Sequence, residues 1–349
     1  MKPEQHIKLG ISVGDINGIG IEIILKTFED SRMLDFCTPV IFASNKTISA
    51  HKKQLKLNNI NYNGIDDAAH AIDGKINVVN VWKEQPNITF GKLTEEGGKY
   101  ALLSLKAAVA SLKKGTTDAL VTAPIHKTNI QSDDFKFPGH TDYLAKELKG
   151  QSLMFMVADD LKVGLLTDHV AVKDVSQNIT PKLIHNKVNK IHQSLLQDFK
   201  VRRPKIAILG INPHAGDNGV IGKEDDEILA PTIQKIHESG KLVYGPYSAD
   251  SFFATNNYKN FDAILASYHD QGLIPFKTLT FGKGVNYTAG LYKVRTSPDH
   301  GTAFEIAGKG EADHSSFKEA VFTAIHIFRN REEFKEISAN PLEKSSAKL

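Results

Sequence analysis

Ile206-Ala207-Ile208-Leu209-Gly210-Ile211-Asn212-Pro213-His214 is an apolar run, free of polar alternation, that stops abruptly at a polar loop ending in histidine. Such a run suits a strand buried on both faces, covered above and below by helices. Similar runs span Ile7 to Val13, Val40 to Ala43, Ile76 to Val81, Ala119 to Thr122, Val163 to Thr167 and Ala263 to Ser267. Helical patterns stand between them. Thr180-Pro181 opens one, with Leu183, Ile184, Val188 and Ile191 at helical spacing, a threonine cap and proline in the first turn. A second runs from about Gly98 to Leu112 and stops at Lys113-Lys114-Gly115. A last one, about Phe317 to Phe328, leads into a polar tail expected to fray, Lys344 to Leu349. Strands alternating with helices predict an α/β fold with a largely parallel or mixed sheet.

At 349 residues the chain exceeds the usual single core, so two lobes or one large unit are expected. An apolar fraction of 41% with 24% charged residues is globular composition, which excludes disorder and fibrous repeats. The 43 basic and 40 acidic residues are interspersed and leave a net charge of +3, so no electrostatic footprint for nucleic acid exists. The single cysteine, Cys37, cannot form an intramolecular disulfide and reads as a small buried apolar residue. No signal-peptide core follows Met1 and no run approaches a membrane span, so no membrane association and a cytoplasmic location are expected.

Three histidines close apolar strands and open loops: His169 after Leu165-Leu166-Thr167-Asp168, His214 after Ile211-Asn212-Pro213, and His269 after Ala266-Ser267-Tyr268. Ligands of open α/β sheets bind at strand carboxyl ends, so these imidazoles can converge on a metal and leave positions open for substrate. Each can equally be a polar loop residue with local hydrogen bonds, and their spacing matches no local zinc motif. Gly139-His140-Thr141-Asp142-Tyr143 precedes a helix reaching about Leu148; its free N–H groups suit an anion, and the alternative reading makes Thr141 an N-cap and nothing more. After the polar turn Asp270-Gln271-Gly272, Lys277, Asn286 and Arg295 stand in a glycine-rich and apolar region and could together grip a doubly anionic ligand. Asp299-His300-Gly301-Thr302 begins a small-residue loop that could admit a nucleotide. Gly14-Asp15-Ile16-Asn17-Gly18-Ile19-Gly20 lacks the dinucleotide fingerprint spacing, and its glycines read as backbone geometry.

Taken in order, GDINGIG from Gly14, TAPIHK at Thr122 to Lys127, PGHTDYLA at Pro138 to Ala145, NPHAG at Asn212 to Gly216, YHDQG at Tyr268 to Gly272, GVN at Gly284 to Asn286 and RTSPDHGTAFEIAGKG at Arg295 to Gly310 resemble the 4-hydroxythreonine-4-phosphate dehydrogenase family over nearly the whole chain. Ile21 departs from it, standing where many relatives have proline. The resemblance implies a two-lobed α/β/α fold like the isocitrate and isopropylmalate dehydrogenases, with a cleft between lobes. Lobe I would comprise 1–127 plus 287–349 on the nucleotide side, and lobe II 128–286 on the metal, substrate and dimer side. It implies a homodimer with the active site at the subunit interface, NAD or NADP as cofactor, and one divalent metal per site, zinc first, with cobalt or magnesium as alternatives.

Carried over residue by residue, the resemblance makes His169, His214 and His269 the metal ligands. It places His140, Thr141, Lys277, Asn286 and Arg295 on a small phosphorylated hydroxy-amino acid, and Asp299, His300 and Gly301 at the cofactor. The chemistry of metal-assisted alcohol oxidation makes Lys277 the first candidate for proton transfer or alkoxide stabilisation, with Asp270 and Asp250 as its acid–base or orienting partners. Two alternatives stay open: oxidation of D-erythronate or D-threonate 4-phosphate by the same chemistry, and a phosphate-binding acyltransferase on a related scaffold.

Overall fold

The computed structural model describes residues 6–137 and 139–340. Twelve strands form one sheet: β1 (Ile7–Ser12), β2 (Cys37–Ala43), β3 (Tyr62–Ile65), β4 (Ile76–Asn80), β5 (Ala119–Thr122), β6 (Gly150–Ala158), β7 (Leu161–Leu165), β8 (Lys205–Leu209), β9 (Leu242–Tyr247), β10 (Ala263–Ala266), β11 (Val285–Leu291) and β12 (Val294–Pro298). Their order is β3-β4-β2-β1-β5-β12-β11-β6-β7-β10-β8-β9. Pairing is parallel from β3 to β12, antiparallel through β12-β11-β6-β7, and parallel again from β7 to β9. Three successive reversals therefore make the strands of the two parallel blocks run in opposite directions. The α/β expectation holds, and all seven expected strands are present with small shifts at their ends.

Five strands escaped the sequence reading. β11 and β12 were not assigned as strands in the glycine-rich and apolar region that carries Asn286 and Arg295, because Asn286, Thr288, Arg295 and Ser297 interrupt the apolar pattern. They are central strands of the sheet whose alternate residues face a cavity. In β6, methionines stand where β-branched residues would signal a strand.

The expected Thr180 cap and Gly115 stop are in place, and a Thr94 cap that the sequence reading did not name starts the second helix earlier than expected. Thr180 accepts a hydrogen bond from the Leu183 N–H ahead of Pro181–Gln197. Thr94 does so from Gly97 ahead of Glu95–Lys114, which ends at Gly115 in the left-handed region. The last helix, Ser315–Ser338, is longer than expected; the polar tail from Lys344 lies outside the described residues. Asp270-Gln271-Gly272 is a correction: it forms the first turn of helix His269–Leu279, where Gln271 accepts from the Ser267 N–H at 2.7 Å and donates to the Gly210 carbonyl at 2.6 Å. In the glycine turn after β1, Gly14 has φ of +67°, and a side chain there would collide with the Pro124 carbonyl. Gly18 abuts Thr302 in the same manner, so the turn packs against the loop that follows β12. Cys37 is fully buried, and burial pushes its thiol up to about 12.

On the face of β11 turned away from that cavity, a buried polar network ties the sheet to two helices. The Asp198 carboxylate accepts from Arg331 Nε, Ser194 Oγ and Tyr287 Oη, each at 2.6 Å. Arg331 also donates to Tyr287 Oη and to the carbonyls of Leu291 and Tyr292. Every strong acceptor here has a donor. Arg331→Met should therefore cost about 3–5 kcal/mol in urea unfolding by stranding the Asp198 charge. A loss below about 1 kcal/mol would show that the network does not bear on stability.

Candidate active site

Alternation along the central strands sends Thr122 of β5, Arg295 and Ser297 of β12, Asn286 and Thr288 of β11, and Met154 of β6 to one face. Over that face lies a cavity of about 250 Å³. Its rim is formed by Ala123 to Ile125 and Lys127 after β5, by Gly139 to Asp142 at the start of helix His140–Glu147, by Pro298 to Gly301 after β12, and by His169. Residues from four of the seven ordered motifs, with Met154 and His169, thus share one space.

Arg295 decides the character of the site. It is 1% exposed, and among the described residues no carboxylate pairs with it. Burial alone pushes its pKa down, to about 9, which still leaves it charged at neutral pH. Its partners are two hydroxyls: Nε and Nη2 donate to Thr122 Oγ1 at 3.2 and 2.5 Å, and Nη1 donates to Thr288 Oγ1 at 3.1 Å. A buried guanidinium without a counter-charge, open to a cavity, is a site for an oxyanion.

Around it stand polar atoms without partners. His140 Nε2, Asn286 Oδ1 and His300 Nε2 are out of solvent and make no hydrogen bond. Burial, with the Arg295 charge second, holds the His140 ring well below the usual histidine range, so it stays neutral. Unsatisfied buried atoms of this kind mark where a ligand belongs. Thr141 lies inside the helix rather than capping it; Gly139 takes the N-cap position. Lys277 sits at the edge of this group, its Nζ donating to the Asp299 carbonyl at 3.0 Å.

The three strand-end histidines follow β7, β10 and β8, which are adjacent and mutually parallel, so their loops emerge at one end of the sheet. His169 and His269 approach each other, with ring centroids 6.2 Å apart. The Asp270 carboxylate lies 2.7 Å from His269 Nδ1 and fixes that ring, which turns Nε2 outward. His214 stands in solvent near Asp250, whose carboxyl is held below its ordinary range by the Ser248 hydroxyl first and the Ser251 N–H second, with His214 a smaller contribution. No three His, Cys, Asp or Glu side chains among the described residues come close enough to hold a metal ion. Imidazole is by its chemistry a donor for divalent cations, and two of the three rings, His169 and His269, lie together.

Thr122, Lys127, Thr288 and Ser297 were missed by the sequence reading. Period-two alternation around Asn286 and Arg295 was the available signal for Thr288 and Ser297; Lys127 lay inside TAPIHK without a role.

A mixed sheet carrying a buried guanidinium without a counter-charge under a polar cavity defines an α/β protein with an anion-attracting pocket at the centre of its sheet. Residues 35–324 match the model of the family described as pyridoxal phosphate biosynthetic protein PdxA, and the chain belongs to that family. It is 47% identical over 98% of its length, and 94% of the relative's, to a 4-hydroxythreonine-4-phosphate dehydrogenase of Bacteroides thetaiotaomicron. It is 37% identical to a D-threonate 4-phosphate dehydrogenase of Cupriavidus necator, covering 93% of this chain and 98% of that one. Among solved structures it is similar to a 4-hydroxythreonine-4-phosphate dehydrogenase from Burkholderia phymatum, with a TM-score of 0.76 at 34% identity over 93% of this chain and 99% of that chain.

The electrostatics make a direct prediction. In histidine-ring NMR of the ligand-free protein, His140 should titrate well below the ordinary histidine range, because burial and then the Arg295 charge depress its folded pKa. A His140 signal titrating near 6.5 would remove the buried, Arg295-facing ring from the site.

Proposed function

We propose that the chain oxidises 4-phosphooxy-L-threonine (4-hydroxythreonine 4-phosphate) to 2-amino-3-oxo-4-phosphooxybutanoate with NAD or NADP. The product then loses carbon dioxide to give 3-amino-2-oxopropyl phosphate, for pyridoxal 5′-phosphate synthesis. The observation that carries this reading is the buried Arg295, unpaired and ringed by the partnerless polar atoms of His140 and Asn286. Such a floor suits a substrate with anionic groups at both ends. It has less use for a neutral one.

We assign His169, His214 and His269 to one divalent cation, zinc first, with cobalt or magnesium as alternatives. When bound, the cation supplies polarisation of the substrate hydroxyl and the nicotinamide ring accepts the hydride. The chain's own residues do the rest. Arg295, His140, Thr141 and Asn286 hold the anionic ends and fix the reacting carbon. We assign Lys277 to receive the hydroxyl proton or to steady the oxygen as negative charge grows. Asp270 orients His269, and Asp250 faces His214. Asp299, His300 and Gly301, on the loop against the glycine turn, are assigned to the cofactor. As the carboxylate carbon leaves, its bonding electrons pass to the new ketone and a proton completes the product.

The reading includes a homodimer with the site at the subunit interface. Val172, Val220, Ile274 and Phe281 are 76%, 81%, 63% and 93% exposed and lie on the segments that follow or carry the three histidines. Apolar surface of this kind is suited to a second copy, which could complete the set of imidazoles. It also includes the two lobes, 1–127 plus 287–349 and 128–286: the division leaves β1 to β5 and β12 on one side and β6 to β10 on the other, with β11 at the border. No helix among the described residues is long and apolar enough to cross a membrane, and we place the protein in the cytoplasm.

The test is turnover of purified protein read as reduced-nicotinamide absorbance. Activity with 4-phosphooxy-L-threonine, abolished by a chelator, is expected; its absence with folded, metal-loaded protein would overturn the reading. D-threonate 4-phosphate is the second substrate to assay, favoured by the Cupriavidus relative, which differs by a hydroxyl in place of the amine. An acyltransferase would need neither nicotinamide nor the histidines. His214→Ala should lose bound metal by elemental analysis and lose at least about 100-fold in kcat/KM while keeping its melting temperature. Unchanged metal content would exclude His214 as a ligand.

A further inference from the structure

Two buried arginines lie on opposite sides of β11, and they are treated differently. Arg331 is neutralised: Asp198, a phenol and two backbone carbonyls take its donors. Arg295 meets only the hydroxyls of Thr122 and Thr288, contributed by the strands on either side of its own. An arginine buried for structural reasons gains most from a carboxylate, as Arg331 does. Two neutral acceptors achieve something else. They satisfy part of the fork and leave its charge intact.

We propose that Thr122 and Thr288 are positioning residues that fix the Arg295 fork for one oxyanion of the substrate. This rests on reading the cavity as the substrate site. Thr122 Oγ1 accepts from both Nε and Nη2, which sets the rotation of the guanidinium in its plane. Thr288 Oγ1 accepts from Nη1 and holds the other edge. Of the five N–H donors of an arginine, three are taken, which leaves two for a ligand. Both threonines are themselves held. Thr288 stands opposite Arg295 one step along the β11–β12 register from the Tyr287–Thr296 pair, and Thr122 lies two residues beyond Leu120, which pairs with Arg295. Their β-branched side chains are stiff at χ1, and both are fully buried, so the hydroxyls have little freedom to drift. An acid at either position would neutralise the charge that the substrate needs. An apolar residue would leave the fork free to turn.

Thr122→Val and Thr288→Val keep shape and remove the hydroxyl. Each should raise KM for 4-phosphooxy-L-threonine about tenfold and weaken inorganic phosphate, used as a competitive ligand, by a similar factor, while kcat changes about twofold or less. Thr122→Ser and Thr288→Ser should restore both readings to within about threefold, since the hydroxyl and not the methyl carries the effect. A folded valine variant with wild-type KM and phosphate affinity overturns the proposal, as does a serine variant as impaired as valine. If a valine variant does not fold, the alanine variant at that position takes its place with the same expectations. If the protein does not oxidise this substrate at all, the functional reading fails by itself. Calorimetric binding of inorganic phosphate to wild-type and threonine variants then still decides the role of the hydroxyls.

Discussion

A guanidinium held in the middle of a sheet without a counter-charge is the constraint on which the rest of this molecule depends. Desolvating a charge costs several kcal/mol even after relaxation, and Arg295 recovers only part of that through two hydroxyls. The remainder must be carried by structure elsewhere. β12 is paired along both edges, by β5 and β11, which prevents the strand from moving to let water in. Tyr287, on the opposite face of β11 from Asn286 and Thr288, is locked to Asp198 and Arg331. The paired network on one side of the sheet thus steadies the strand whose other side carries the unpaired charge.

The strand order explains why the cavity lies where it does. Two parallel blocks running in opposite senses meet through the antiparallel strip β12-β11-β6-β7. Loops after β5 and β12 approach the sheet centre from one end, and His169, after β7, approaches from the other. A single parallel sheet would present all its carboxyl ends along one edge. Here the reversal brings the residues around Arg295 and His169 to a shared cavity from two directions.

Much of this was legible in the sequence, for physical reasons that differ by residue. The apolar runs ending at His169, His214 and His269 announced buried strands because nothing polar interrupts them. Thr180-Pro181 and Lys113-Lys114-Gly115 announced helix ends because capping is local chemistry. Arg295, Asn286 and His140 were found through ordered motifs that resemble a known family, and the fold brings them together. What escaped depends on tertiary pairing. Thr122 and Thr288 are unremarkable residues in sequence; only the register that sets them beside Arg295 gives them a role. β11 and β12 were hidden because the polar residues that build the cavity floor broke the pattern by which buried strands are recognised. The convergence of the histidines was legible only in part: adjacency of β7, β10 and β8 puts their loops together, yet it brings only His169 and His269 within 6.2 Å in one chain.

The remaining histidine stands on backbone that the chain would not choose by local preference. From His214 to Gly219 six consecutive residues have positive φ, and four of them, His214, Ala215, Asp217 and Asn218, are not glycine. Left-handed geometry costs roughly 1–2 kcal/mol per such residue, and it persists only where surroundings over-determine it. Asp225 supplies that determination. Fully buried, its carboxylate accepts from the N–H groups of Ile211 and Asn212 and from the Asn212 side chain, pinning the entry to the turn. Gln271 joins the same strand end to the start of the His269 helix. The turn is therefore held in a strained form from two sides while the imidazole it presents points into solvent beside Asp250. A turn so determined holds His214 outward as a fixed feature of the fold and not as one conformation among many of a loose loop.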